Sequence, residues 1–169
     1  MRTMKLRSLA VLVPAAIVLA VVVMRPSPAR TQAPAGRYTI PGDGTVLDTV
    51  TMLTWQRAFQ STPLTWSGAK SYCQTLSGLP GSGWRLPTVK ELATLIDYGA
   101  STQPNIDTTA FPGVPADGDL PGTSVFWTST QEVGSFLGEA SGAWSIYFSG
   151  GITQPNDVRS GSSVRCVRP

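Results

Sequence analysis

Thr65-Trp66-Ser67-Gly68-Ala69-Lys70-Ser71-Tyr72-Cys73-Gln74-Thr75-Leu76-Ser77-Gly78 is where the pattern of this chain changes from the two-residue period of strands to the three-to-four-residue period of a helix. Trp66, Ala69, Cys73 and Leu76 fall on one face at that spacing, Thr65 offers an N-cap hydroxyl and Gly78 a stop. A helix of about three turns is predicted, with Cys73 on its inner face. A second helix is predicted to begin at Val89, because Thr88 and Glu91 stand at capping-box positions. Val89, Leu92, Ala93 and Ile96 form its apolar face, and it is expected to end near Tyr98-Gly99.

Strand-like runs lie on both sides of this helical pair. Arg37-Tyr38-Thr39 and Thr45-Val46-Leu47-Asp48 flank the cluster Pro41-Gly42-Asp43-Gly44, a hairpin signal, and Met52-Leu53-Thr54-Trp55-Gln56-Arg57 alternates as a half-buried strand does. Later runs are Val125-Phe126-Trp127-Thr128-Ser129-Thr130, Ala143-Trp144-Ser145-Ile146-Tyr147-Phe148 with a Gly150-Gly151 turn into Ile152-Thr153, and Ser163-Val164-Arg165-Cys166-Val167-Arg168. Two helices between early and late strands predict an α+β domain. Residues 99–124 are rich in Pro, Gly, Asp and Thr without a sustained period, so they read as a long irregular region of the kind that often carries binding function.

The N-terminus has a different character. Arg2, Lys5 and Arg7 precede an uncharged apolar run over residues 9–24, the pattern of a secretory signal, and the run is short for a permanent span. Ser27-Pro28-Ala29 and Ala33-Pro34-Ala35 both have the small-x-small form of a cleavage site, so cleavage is expected after Ala29 or Ala35; an uncleaved anchor is the alternative. The organisation expected is a signal peptide or anchor over residues 1–29, a Pro/Ala-rich linker over 30–36, and one domain over 37–169. The positive end of the leader stays inside, which places the rest in the periplasm or outside the cell. The leader also holds four of the 13 basic residues and none of the 10 acidic ones. The mature chain is therefore close to neutral, and its composition gives no argument for a nucleic-acid partner.

Cys73 and Cys166 are an even pair in a chain bound for an oxidising compartment, so a disulfide is predicted between the first helix and the last strand; two inert buried thiols are the alternative. No His occurs anywhere, which removes Ser-His-Asp and Cys-His catalysis and His-ligated zinc. No catalytic residue is assigned, and an enzyme is not expected.

An ordered series of motifs carries a resemblance. Asp43-Gly44-Thr45-Val46, Leu53-Thr54-Trp55-Gln56, Leu64-Thr65-Trp66 with Tyr72-Cys73, and Trp84-Arg85-Leu86-Pro87-Thr88 with Glu91-Leu92 come first. Ile106-Asp107-Thr108-Thr109, Phe111-Pro112, Phe126-Trp127-Thr128-Ser129-Thr130, Ala143-Trp144 and Val164-Arg165-Cys166-Val167-Arg168 follow. Over about residues 37–169 the chain resembles the Lcl C-terminal domain family, named for a Legionella collagen-like adhesin. The resemblance implies a C-type-lectin-like fold, related to that of the formylglycine-generating enzyme, with two helices packed against short antiparallel strands and a long irregular loop region. It also implies an exported adhesion or binding module, in the namesake one that takes sulfated glycosaminoglycans. The formylglycine-type reaction needs reactive cysteines close together, whereas Cys73 and Cys166 are better placed for a structural bond. No collagen-like Gly-x-y tract is present.

The expected function is an exported, non-enzymatic binding module recognising carbohydrate or sulfated polysaccharide, or a cell-surface protein. It is expected to touch a membrane only through an uncleaved leader. Trp55, Trp66, Trp84, Trp127 and Trp144 fall within or beside strand and helix patterns, so core packing is the simpler reading for most of them, and Trp127 and Trp144 are the candidate sugar-stacking pair. Arg159, Arg165 and Arg168 are the candidate sulfate ligands, with an ordinary solvated face as the simpler alternative. No cofactor is required, but Asp97, Asp107, Asp117 and Asp119 are where oxygen ligands for Ca²⁺ would converge. Gln103-Pro104-Asn105 and Gln154-Pro155-Asn156-Asp157 are similar to the Glu-Pro-Asn or Gln-Pro-Asp tripeptide of sugar-binding C-type lectins, whose Trp-Asn-Asp motif is absent; Asn and Asp shaping turns beside Pro is the simpler reading. Two other functions stay open: a divergent enzyme on the same fold, which would need a perturbed carboxylate pair such as Asp107 with Glu91, and a structural envelope protein.

Overall fold

The computed structural model describes residues 33–116, 124–133 and 142–169. The leader, residues 30–32 of the linker, Asp117 and Asp119 lie outside the described residues. The early strands form as their patterns require. β1 (Tyr38–Thr39) and β2 (Thr45–Asp48) pair across the Pro-Gly-Asp-Gly turn, and β3 (Leu53–Gln56) pairs with β2 in antiparallel register that sets Val46 opposite Trp55.

The chain then contributes β4 (Gln60–Leu64), a strand that its sequence does not announce. Its residues Gln-Ser-Thr-Pro-Leu have no apolar alternation, because it is an edge strand whose middle is exposed. The first helix, α1 (Trp66–Gln74), begins on the predicted cap, with the Thr65 side chain accepting from the Gly68 amide. It ends about a turn before Gly78, where Thr75 closes it by donating its hydroxyl to the Ser71 carbonyl. The second helix, α2 (Val89–Ala93), has both halves of the predicted capping box. It too is shorter than its apolar pattern suggests: Leu95 and Ile96 bond back only three residues, tightening the chain, and Asp97 then pairs with the Asn105 backbone. Residues 99–116 are irregular as expected, yet Ile106, Ala110, Phe111 and Val114 are buried, so this region supplies core as well as surface.

The late strands are β5 (Val125–Gln131), β6 (Gly142–Tyr147), β7 (Ile152–Asp157), β8 (Ser162–Val164) and β9 (Val167–Arg168). The expected single terminal strand is two. β8 belongs to a five-stranded sheet of order β4-β8-β5-β6-β7, while β9 completes a four-stranded sheet of order β1-β2-β3-β9. The switch falls at Arg165-Cys166, both fully buried. Pairing is antiparallel throughout except between β5 and β8, which are parallel. Both edges of the five-stranded sheet contain a proline, Pro63 in β4 and Pro155 in β7, which removes a ladder donor from each.

Two buried clusters result. One gathers Trp55, Leu92, Phe111, Phe126 and Phe148; the other gathers Ala69, Trp84, Trp127 and Val164 around the cysteines. Cys73 and Cys166 are joined by a disulfide across 93 residues, with Cα atoms 5.5 Å apart, tying α1 to the point where the chain changes sheets. The disulfide is consistent with an exported protein, and among the described residues no helix is long and apolar enough to cross a membrane.

Candidate functional site

The tryptophans divide by the work their rings do. Trp55, Trp84 and Trp127 are buried members of the two clusters, and half-buried Trp66 packs against the second. Trp66 donates its Nε1 hydrogen to the Thr128 carbonyl at 2.7 Å, and the Lys70 ammonium sits 3.5 Å over its ring. Trp127 is corrected here as a ligand candidate: it is completely buried, and its Nε1 donates to the Leu64 carbonyl at 2.8 Å, so neither ring face nor polar handle reaches solvent. Trp144 is the one tryptophan outside both clusters, half-buried on β6.

The register of β6 with β7 shows what surrounds it. Trp144 lies opposite Pro155 and Gly142 lies opposite Asp157, so the side chains of Trp144, Pro155 and Asp157 share one face of the pair, with Asp157 diagonal to Trp144. Asp157 accepts from Arg159 through both carboxylate oxygens, with Nη2 to Oδ2 at 2.7 Å and Nε to Oδ1 at 3.0 Å. The hydrogen bonds from Arg159 hold the Asp157 carboxyl down to about 2, so the pair stays ionised over the physiological range. Glu132 presses against the same face at Gly142, where any Cβ would collide with its side chain. The local assembly is an indole, a proline ring, one guanidinium and two carboxylates at the edge of the sheet.

The three predicted arginines do not form one basic patch. Arg165 is corrected here as a sulfate ligand: it is fully buried at the sheet switch, where Nη1 donates to the carbonyls of Gln56, at 2.7 Å, and Arg57. Its guanidinium lies 4.7 Å from the Phe111 ring centre, 5.7 Å from Phe126 and 5.9 Å from Phe59, and burial lowers its ionisation to about 9. Arg168 projects from β9 in the other sheet, stacked 5.6 Å from the Trp84 ring centre. Arg159 is the exposed one, its side chain 81% accessible.

The carboxylates reserved for calcium or catalysis are engaged in structure. Glu91 takes two hydrogen bonds from Arg85, at 2.8 and 2.6 Å, and one from the Thr88 amide; the Arg85 bonds are the chief reason its carboxyl is pulled down to about 2. Asp107 accepts from the amides of Thr109 and Ala110 at one oxygen and of Ala33 at the other. Glu91 and Asp107 thus sit in separate networks, and Glu91 moves in the direction opposite to that of a general acid. Asp97 accepts from the Gly99 amide, and its carbonyl takes a hydrogen bond from the Asn105 side chain; Asn156 is bonded to the Tyr147 hydroxyl. Among the described residues no three Cys, Asp or Glu side chains converge as metal ligands, so the residues named for Ca²⁺ do not fit it there, while Asp117 and Asp119 lie outside the described residues.

Sequence reasoning missed Asp157 and Glu132 as neighbours of Trp144. In the sequence Asp157 stands out only within Gln154-Pro155-Asn156-Asp157, and Glu132 is revealed by its amide, which donates to the Gly142 carbonyl, and by its side chain against Gly142. In comparison with known proteins, a family model described as the Lcl C-terminal domain matches residues 44–168. No curated protein matches the chain.

Proposed function

Because this chain belongs to the Lcl C-terminal domain family, we propose that it is an exported surface-interaction module of C-type-lectin-like architecture that binds carbohydrate without chemistry. The observation that supports this reading best is Trp144, the one indole not spent on either apolar cluster, on a sheet face beside a fixed Asp157–Arg159 pair. An aromatic face with adjacent bidentate polar groups suits a sugar ring, whose C–H faces stack and whose hydroxyls take and give hydrogen bonds. The local charges refine the ligand class. One guanidinium stands against the carboxylates of Asp157 and Glu132, so a neutral saccharide meets less repulsion on this face than a heavily sulfated chain. The other two arginines add nothing here, one being buried and the other on the opposite sheet.

The test is a calorimetric titration of the oxidised domain with neutral and sulfated polysaccharides at low and high salt. The expected result is binding of a neutral polysaccharide that hardly changes with salt and weakens about tenfold in Trp144→Ala. Equal affinity of Trp144→Ala and the parent for every polysaccharide bound would refute the site. Binding confined to sulfated chains and lost at high salt would refute the ligand class.

A further inference from the structure

The segment before β1 is the starting point. Residues 33–36 form a turn, with the Arg37 amide donating to the Pro34 carbonyl at 3.1 Å and Gly36 at φ 83°, the third position of a type II turn that glycine satisfies without strain. The turn is tied down at both ends. The Ala33 amide donates to Asp107 Oδ2 at 3.0 Å across 74 residues of sequence, and the Gly36 carbonyl accepts from the Thr49 hydroxyl at 3.1 Å. Asp107 is only 8% exposed, so this hydrogen bond is formed at the wall of the domain rather than in open solvent. Together the turn and Tyr38, Ile40, Asp107, Thr109 and Ala110 enclose a cleft of about 180 Å³.

We propose that residues 33–36 are a permanent strap of the folded domain, held by Asp107, and that the mature chain that folds with it intact is the one cut at Ala29-Arg30 and not at Ala35-Gly36. Both bonds follow a small-x-small tripeptide, so local sequence leaves them alike, and what differs is the folded product of each cut. Cutting after Ala35 removes the amide that occupies Asp107 Oδ2 and the carbonyl that closes the turn. It also strips one wall from the cleft and uncovers more of half-buried Tyr38. Cutting after Ala29 leaves the whole strap in place, with residues 30–32 ahead of it.

The intact mass of the exported protein, produced from the full-length chain, tests the first half. A mature chain beginning at Arg30 is expected; one beginning at Gly36, or an uncut chain, overturns the assignment. Thermal unfolding tests the strap itself, on domains made to begin at Arg30 or at Gly36 and on Ala33→Pro in the longer form, which removes the amide hydrogen given to Asp107 and fixes φ at that position. The shorter domain is expected to melt about 4 °C lower and Ala33→Pro to move part of that way. Equal melting temperatures for the two domains would overturn the strap even with the Arg30 terminus found.

Discussion

Replacing Cys73 and Cys166 together by alanine should cost this domain a large share of its stability, and the amount follows from the loop the bond closes. Cross-linking residues 93 apart restricts the denatured chain by about 4.6 kcal/mol on loop-closure arithmetic. Both cysteines are completely buried, so alanine leaves no stranded polar group, and the lost sulfur packing adds to the entropic term rather than offsetting it. Domains of this size have about 5–15 kcal/mol in total, which makes the variant marginal. Equilibrium unfolding in urea is the assay. With a slope of about 1.5 kcal/mol per molar urea, the midpoint should fall by roughly 3 M, and the slope should rise somewhat because the uncrosslinked denatured chain exposes more surface. A loss below about 1 kcal/mol would refute the reasoning, since it would mean that the denatured chain already keeps residues 73 and 166 close without the bond.

Three further outcomes are expected. Glu91, pulled down to about 2 from 4.5, contributes stability above pH 4.5 that is lost as the pH falls toward 2. Between pH 6 and 3 the parent should therefore lose about 1 kcal/mol more than Glu91→Gln in urea titrations, a figure kept small by solvent screening of the Arg85 pair. Thr88→Ala, which removes the hydroxyl that accepts from the Glu91 amide, should cost about 1 kcal/mol in the same assay. Arg165→Ala should cost about 3–5 kcal/mol, because it empties a buried site and strands the carbonyls of Gln56 and Arg57, whereas Arg159→Ala at the exposed edge should leave the melting temperature unchanged.

What could be read from the sequence was what is decided locally. Thr65 and the Thr88–Glu91 box start their helices where their side chains can reach the first free amides, and that geometry spans only three residues. The helix ends were overrun because apolar spacing continues past the last helical bond: Leu95 and Ile96 stay in the core on a tightened turn. The α+β class followed from the change of period, but β4 did not, since an exposed edge strand has no buried face to impose alternation. The candidate site fared similarly. Trp144 and Arg159 could be named from residue type, while the burial of Trp127 and Arg165 depends on partners far off in sequence, Leu64 for the indole and Gln56 for the guanidinium. In Val164-Arg165-Cys166-Val167 an uninterrupted strand pattern hides a change of sheet. An arginine ordinarily signals solvent, and here three phenylalanine rings and two backbone carbonyls take the place of water.

That change of sheet bears on the export proposed above. β8 and β9 are the neighbours that β4 and β3 lack until residues 162–168 arrive, and Cys166 between them is the only partner for Cys73. A chain threaded N-terminus first therefore emerges with its opening hairpins unable to complete either sheet and its first thiol unpaired. On that proposal it would stay loose enough to pass through a narrow channel, and would lock its two layers together in one late event on the far side.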